Sequence, residues 1–450
     1  MKKRLTGALA LALALVMLLA CISCEHEHVF GEYTFDENNH THACTVKKCE
    51  YLETGAHTFG EPVVVKAAGT VEDGELEYTC TVCGYKKTET VSKTISLTLT
   101  EFEEFDTHTK LQQTYLASDV KNVPTKAQGI LEQSYQATPV FTWTLEGLAE
   151  GDVLNTYILA ISENEDMSDA KTYKSRYFQY DKSGGFNFKV RTSYYWQVTA
   201  EITLADGSTA TYQSKVSTFK TLEGPRTLHV DGIANFRDLG GKDCTGGVLR
   251  QGIIFRCGRL NANNKKGTTV SVSCLKTLQE LGIVAEIDLR GDTVEGIHQN
   301  GFASDGSETM KSWGGDQIKY YLCPAIYDSG MLKTAEGQKM VRDTFAILAD
   351  PSNYPVIFHC SIGTDRTGII AFLVEGVCGV DLETLERDYL FSNFANIGSS
   401  RADSGFQAIT SPVRAKSGKT FEEKCYNYLI SIGVTAEQIE SVRNILIEKN

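Results

Sequence analysis

The pattern of hydrophobic and polar positions divides the chain into stretches of different character. An almost unbroken apolar run covers residues 5–20, behind a basic start of Lys2, Lys3 and Arg4. Over residues 93–222 apolar and polar positions alternate in short runs. Examples are Val140-Phe141-Thr142-Trp143-Thr144-Leu145, Thr156-Tyr157-Ile158-Leu159-Ala160-Ile161 and Tyr194-Tyr195-Trp196-Gln197-Val198-Thr199-Ala200. A period of two puts every second side chain on one face, and turn-rich stretches separate the runs, so this segment is expected to be a β-sandwich. After Gly224-Pro225, short apolar runs such as Val284-Ala285-Glu286-Ile287 and Val356-Ile357-Phe358-His359 alternate with helical spacing at 337–348, 367–377 and 436–447. That alternation predicts an α/β domain over 225–450, with a central, mostly parallel sheet flanked by helices. Thr435 with Gln438 three residues on predicts a capping box at the last helix.

Residues 21–92 have a different pattern, rich in His and Cys. His28-Val29-Phe30-Gly31-Glu32 returns as His57-Thr58-Phe59-Gly60-Glu61, and each copy is followed by a cysteine pair, Cys44 with Cys49 and Cys80 with Cys83. Cys80-Thr81-Val82-Cys83-Gly84 has the knuckle shape of a zinc ribbon, its glycine allowing the turn that aims both thiolates at one metal. So short a segment needs a staple, either a structural zinc held by Cys44, Cys49, Cys80, Cys83, His28 and His57 or disulfides among the cysteines. His40 and His42 are either further ligands or surface residues. No acidic group stands among the ligands to act as a base, so a metal here is expected to be structural.

At 450 residues the chain exceeds one ordinary core, and 42% hydrophobic with 22% charged residues is a globular composition. A net charge of −13 argues against a nucleic-acid partner, which needs a surplus of Lys and Arg. The apolar run at 5–20 is short for a membrane span and has the form of an export signal, giving a signal peptide at 1–20. Ala20 before Cys21 resembles a bacterial lipobox. That implies lipid on Cys21 and an exported, surface-anchored protein; a plain signal peptide cut nearby is the alternative. The 13 cysteines fall into two groups with none between 84 and 243, so a single disulfide framework across the chain is not expected.

The chemistry concentrates in His359-Cys360-Ser361-Ile362-Gly363-Thr364-Asp365-Arg366-Thr367-Gly368, entered by a strand and left by a helix. Backbone N–H groups of such a loop and of the helix N-terminus form a nest for a dianionic phosphate. The same positive end favours the Cys360 thiolate as nucleophile, and Arg366 offers two parallel donors to phosphoryl oxygens. Thr367 is placed to hydrogen-bond the sulfur as it leaves. Substrate binding falls to Ser361, Ile362, Gly363 and Thr364 of the loop and to His359 beside it, which also tunes the thiol. Spacing alone is weak: Cys244 and Arg250 share it, but Arg250 runs into the strand pattern Gln251-Gly252-Ile253-Ile254-Phe255, with no helix to complete a nest.

At these residues the chain resembles the bacterial tyrosine-phosphatase family whose loop reads H-C-x-x-G-K-D-R-T-G, with dual-specificity and phosphoinositide-active relatives. Asn235-Phe236-Arg237-Asp238-Leu239-Gly240-Gly241, Arg256-Cys257-Gly258-Arg259-Leu260, Asp288-Leu289-Arg290 with Glu295, and Asp388-Tyr389-Leu390-Phe391-Ser392-Asn393 resemble its other motifs. The resemblance implies a cysteinyl-phosphate intermediate, no cofactor in catalysis, and a phosphorylated protein or other phosphoester as partner. It also implies an acid on a loop after a strand and a proline. Asp328 in Cys323-Pro324-Ala325-Ile326-Tyr327-Asp328 takes that place, with Asp365 second and more suited to orienting Arg366 or water. Ion pairs supporting the loop are expected of Asp288 and Arg290, and of Arg237 and Asp238. Thr364 replaces the family's lysine, which lowers the expectation of polyphosphoinositide substrates. Upstream, residues 110–222 resemble a fibronectin type III-like domain. The alternatives are an inositol-phosphate or phosphoinositide phosphatase on the same machinery and a surface-binding lipoprotein with a vestigial site.

Overall fold

The computed structural model describes residues 26–129, 134–182, 185–260, 271–290, 312 and 314–449. The export signal, Cys21 and Glu295 lie outside them. The chain divides into two compact units. One holds the described residues up to Leu97 together with Thr144–Thr156 and Ala200–Gln213; the other holds Thr98–Trp143, Tyr157–Thr199 and the chain from Ser214 onward. Among the described residues no helix is long and apolar enough to cross a membrane.

The His/Cys-rich part of the first unit forms two small antiparallel sheets. Phe30–Phe35, Asn39–Cys44 and Leu52–Ala56 make one, and Val63–Lys66, Gly74–Thr79 and Lys86–Val91 the other. The alternating segment forms strands close to the expected runs, at Phe141–Glu146, Val153–Ser162, Ser193–Thr203 and Ser217–Thr221. Within the second unit, Phe141 of one sheet meets Trp196 of another with ring centroids 4.8 Å apart, and Phe219 and Phe186 pack around them. The helix Lys110–Leu116 interrupts this all-β expectation. It carries the buried Tyr115, which packs with Phe391 and Phe394. Arg387 donates to the carbonyls of Tyr115 and Ser118 at 3.2 and 2.6 Å, so tertiary contacts stabilise a helix too short to persist alone.

From Thr227 onward the expected α/β layering is present. A five-stranded sheet runs in the order Arg237–Asp238, Ile254–Cys257, Val356–His359, Ala285–Arg290, Lys319–Ala325. All pairs are parallel except the first, where Arg237 opposes Arg256. Both faces are covered: Val356 and Phe358 join the larger core with the helix Asp365–Val377, and Ile357 joins the opposite core with Phe255 and Leu278. That helix is buried along its whole length, which explains its apolar sequence on every side. The capping box of Thr435 and Gln438 forms as expected.

Candidate active site

The strand Val356–His359 ends at Cys360, and one short loop separates it from the helix Asp365–Val377. Gly363 has φ +73°, and a Cβ there would meet the Cys257 carbonyl at 2.4 Å, so the loop requires glycine at this point. The loop's carbonyls are tied to its outer side. Arg259 Nε donates to Ser361 O at 3.1 Å, Asn235 Nδ2 to Ile362 O at 3.2 Å and Gly363 O at 2.9 Å, and Arg256 Nη2 to Gly363 O at 2.9 Å. A peptide's C=O and N–H point in opposite directions, so anchoring the carbonyls outward turns the N–H groups inward. Those N–H groups join the N-terminus of a buried helix and make an anion nest.

Two of the three donors, Asn235 and Arg256, are themselves fixed. Arg237 donates to Asn235 Oδ1 and, through Nη2, to Asp388 O at 3.0 Å and Ser392 Oγ at 3.1 Å. Arg256 Nη1 lies 2.8 Å from Asp388 Oδ2, and Lys242 Nζ lies 3.5 Å from Asp388 Oδ1 and 2.7 Å from Glu375 Oε1. Burial opposes a charge on Asp388, but Lys242, Arg237 and Arg256 outweigh it and hold the carboxyl well below the usual range. Arg237 therefore pairs with Asp388 and not with its neighbour Asp238, which instead meets Arg226 at 2.6 Å. Asp288 and Arg290 pair with each other at 2.6 Å, as the sequence led us to expect.

Cys360 is 2% exposed. Burial raises its thiol pKa, yet the charge of Arg366 and the adjacent Thr367 hydroxyl and N–H prevail, and the thiol lies below its ordinary value of 9.0. Arg366 is anchored through Nη1 to Ala325 O at 2.9 Å and Leu289 O at 3.3 Å, the ends of two parallel strands. Thr367 is fully buried against the sulfur. Ser361 and Ile362 are half-buried, whereas Thr364 is buried and turns its hydroxyl toward Asn235 Nδ2 at 3.4 Å. His359 is wholly buried. Its Nε2 meets Glu286 Oε1 at 2.8 Å and its Nδ1 the Cys360 carbonyl at 3.2 Å. Burial works against a charge on this imidazole, but Asp288 and Glu286 raise its pKa overall.

Asp365 is engaged by Arg401. Both its oxygens are taken by Arg401, at 2.7 Å from Nε and 2.5 Å from Nη2. Arg401 in turn is fixed by Asn393, which exchanges two hydrogen bonds with its backbone at 2.8 and 2.7 Å. Asp328 is exposed and accepts from Gly330 N at 2.7 Å. Its neighbour Tyr327 has its pKa raised by burial first and then by the charges of Asp365, Asp328 and Cys360, against a lowering by Arg401. Arg401 was missed by sequence reasoning, because nothing in Ser399-Ser400-Arg401 marks it. The Asn393 of the Ser-Asn motif was the available signal. Cys244 opens no such loop: it lies in the strand Asp243–Cys244, and burial pushes its thiol up to about 11. The N-terminal ligand set separates into two groups, His28, Cys44 and Cys49 with His26, and His57, Cys80 and Cys83 with His40.

Residues 228–448 match the model of the Tyrosine phosphatase family. A Cupriavidus necator protein provisionally named a tyrosine-protein phosphatase is 29% identical over 193 residues, which are 39% of this chain and 66% of that protein. The triple specificity protein phosphatase PtpB of Mycobacterium tuberculosis is 27% identical over 198 residues, 36% of this chain and 67% of that protein. Among solved structures, the core catalytic domain of the PP-IP phosphatase SIW14 from S. cerevisiae covers 36% of this chain and 86% of its own, at 13% identity and a TM-score of 0.22.

Proposed function

We propose that residues 228–448, which match the model of the Tyrosine phosphatase family, form a phosphatase domain that hydrolyses phosphate monoesters, protein phosphotyrosine first among them, through a cysteinyl-phosphate intermediate. The observation that carries the reading is the buried Cys360 thiol, held below its usual pKa by Arg366 and Thr367 at the head of a loop whose Ser361, Ile362 and Gly363 carbonyls are tied by Arg259, Asn235 and Arg256. The thiolate attacks phosphorus in line with the leaving oxygen. Inward N–H groups and Arg366 hold the phosphoryl oxygens as charge redistributes on them. Asp328 gives a proton to the departing alkoxide or phenolate. Water then opens the S–P bond, releasing phosphate, and the Thr367 hydrogen bond stabilises the sulfur as it leaves. Asp365 takes the supporting part of holding Arg401 at the helix N-terminus.

Simple monoesters suit the site better than polyphosphorylated head groups. Thr364 turns inward where a lysine would add charge, and the charge of Arg401 is matched by Asp365. The basic start and the apolar run before Cys21 support an exported lipoprotein, anchored at the membrane through that cysteine. The upstream strands support a fibronectin type III-like module as a spacer or binding platform.

The protein should hydrolyse a chromogenic aryl phosphate in the presence of a chelator. Asp328→Asn should lower kcat by about 10²–10³-fold for poor leaving groups and much less for good ones. A uniform loss across leaving groups, or none, would move the acid role to another residue.

A further inference from the structure

The His/Cys-rich segment holds no apolar core of its own. Among the described residues 26–92 the buried side chains are His40, Cys44, Thr70 and Cys80, while Val63, Val64 and Val65 are exposed. Three of those four buried side chains are potential metal donors, and two three-stranded sheets cannot persist in water on that burial alone. Some other interaction must hold them.

We propose that this segment binds two structural zinc ions at separate, interlocked Cys2His2 sites, independently of the phosphatase reading. The first is formed by His26, His28, Cys44 and Cys49, the second by His40, His57, Cys80 and Cys83, and in each the four donor atoms lie within 4.8 Å of one another. Zn–S and Zn–N bond lengths in a tetrahedron set the S···N edge at about 3.6 Å. The structure's edges bracket that value: Cys44–His26 3.7 Å, Cys49–His28 3.5 Å, Cys80–His40 3.9 Å and Cys83–His57 3.4 Å. All four cysteines are free thiols.

The donors are also aimed. His57 donates its Nε2–H to Asp36 O at 2.9 Å, which fixes the tautomer with Nδ1 as the lone-pair nitrogen facing Cys83. Gly84, at φ +77°, turns the chain after Cys83, and Lys48, at φ +71°, does the same before Cys49. Two sulfurs and two imidazoles in a closed tetrahedral set select zinc and leave no position for a substrate, so the role is structural. The sites are interlocked through the strand Asn39–Cys44, which supplies His40 to the second and Cys44 to the first. His42, on the same strand, takes no part: it meets Glu53 at 3.1 Å. The motif echo in the sequence therefore does not give two self-contained fingers, because the second site takes His40 from the first half of the segment.

The test is metal analysis of the full chain, purified without affinity metal from zinc-supplemented medium. Two zinc ions per chain are expected, falling to one in Cys49→Ser and in Cys83→Ser. Cobalt(II) exchanged into the parent should give the intense visible bands of tetrahedral S2N2 coordination, a readout that does not depend on how well the variants fold. A metal-free chain with Cys44–Cys49 and Cys80–Cys83 disulfides by peptide mapping would overturn the proposal. So would a single zinc whose content one of the two substitutions leaves unchanged.

Discussion

Cys360→Ser is expected to lower turnover of an aryl phosphate on the order of 10⁴-fold or more, with little change in KM. The reason lies in the balance of forces at the sulfur. Burial alone would keep the thiol neutral, and the Arg366 charge with the adjacent Thr367 hydroxyl and N–H reverses that preference. A serine hydroxyl begins from so much higher a pKa that the same forces leave it protonated at neutral pH. The nest and Arg366 remain, so binding should survive while attack fails. Arg366→Lys should cost about 10²–10³-fold in kcat, since a point charge on a flexible stem cannot offer parallel donors to two oxygens. Steady-state kinetics on one chromogenic substrate separates these outcomes. Cys360→Ser activity within about tenfold of the parent would mean that another group is the nucleophile.

The second large effect is on stability. Asp388 is buried with Arg237, Arg256 and Lys242 around it, and all four groups are 5% exposed or less. Asp388→Ala leaves three buried cations facing one another with Glu375 as the remaining carboxylate in the group, and should cost about 3–5 kcal/mol of unfolding free energy. Urea unfolding followed by fluorescence measures it; a loss under about 1 kcal/mol would show that the network is not the support described here. The sign of the pH dependence follows from the depressed Asp388 carboxyl. Its stabilising contribution is complete above the unfolded-state value near 4 and is lost progressively as pH falls toward the folded-state value. Because Arg237 and Arg256 also hold Asn235 and the Gly363 carbonyl, the same substitution should weaken phosphate binding at pH 7.

The sequence motifs carried the loop, the nucleophile and the arginine because those features are local. A strand, a glycine with positive φ and a helix N-terminus follow one another within a dozen positions, and their chemistry can be read in order. The sheet and helices were legible for a similar reason, since Val356–His359 and Ala436–Leu446 carry their own periodicity and caps. What the sequence could not show is pairing at a distance. Arg237 stands next to Asp238 in the chain yet meets Asp388, and Asp365 stands next to Arg366 yet meets Arg401. His359 adjoins the nucleophile but faces Glu286 beneath the loop, because alternate side chains of a strand point to opposite faces of the sheet. The helix Lys110–Leu116 was hidden in a β-patterned segment because partners far along the chain, Phe391 and Phe394, stabilise it. In the His/Cys-rich segment the motif echo suggested which residues bind metal, but only the strand pairing showed that His40 and Cys44 belong to different clusters.

The central claim is that phosphate passes through a covalent bond to Cys360. The most direct test is a rapid-quench single turnover of the full chain with a radiolabelled aryl phosphate, followed by peptide mapping. The account expects phenol release to run ahead of phosphate release, with label approaching one per chain on the peptide that carries Cys360. Label on a different residue, or phosphate released in step with phenol and no labelled protein at any time, would contradict it.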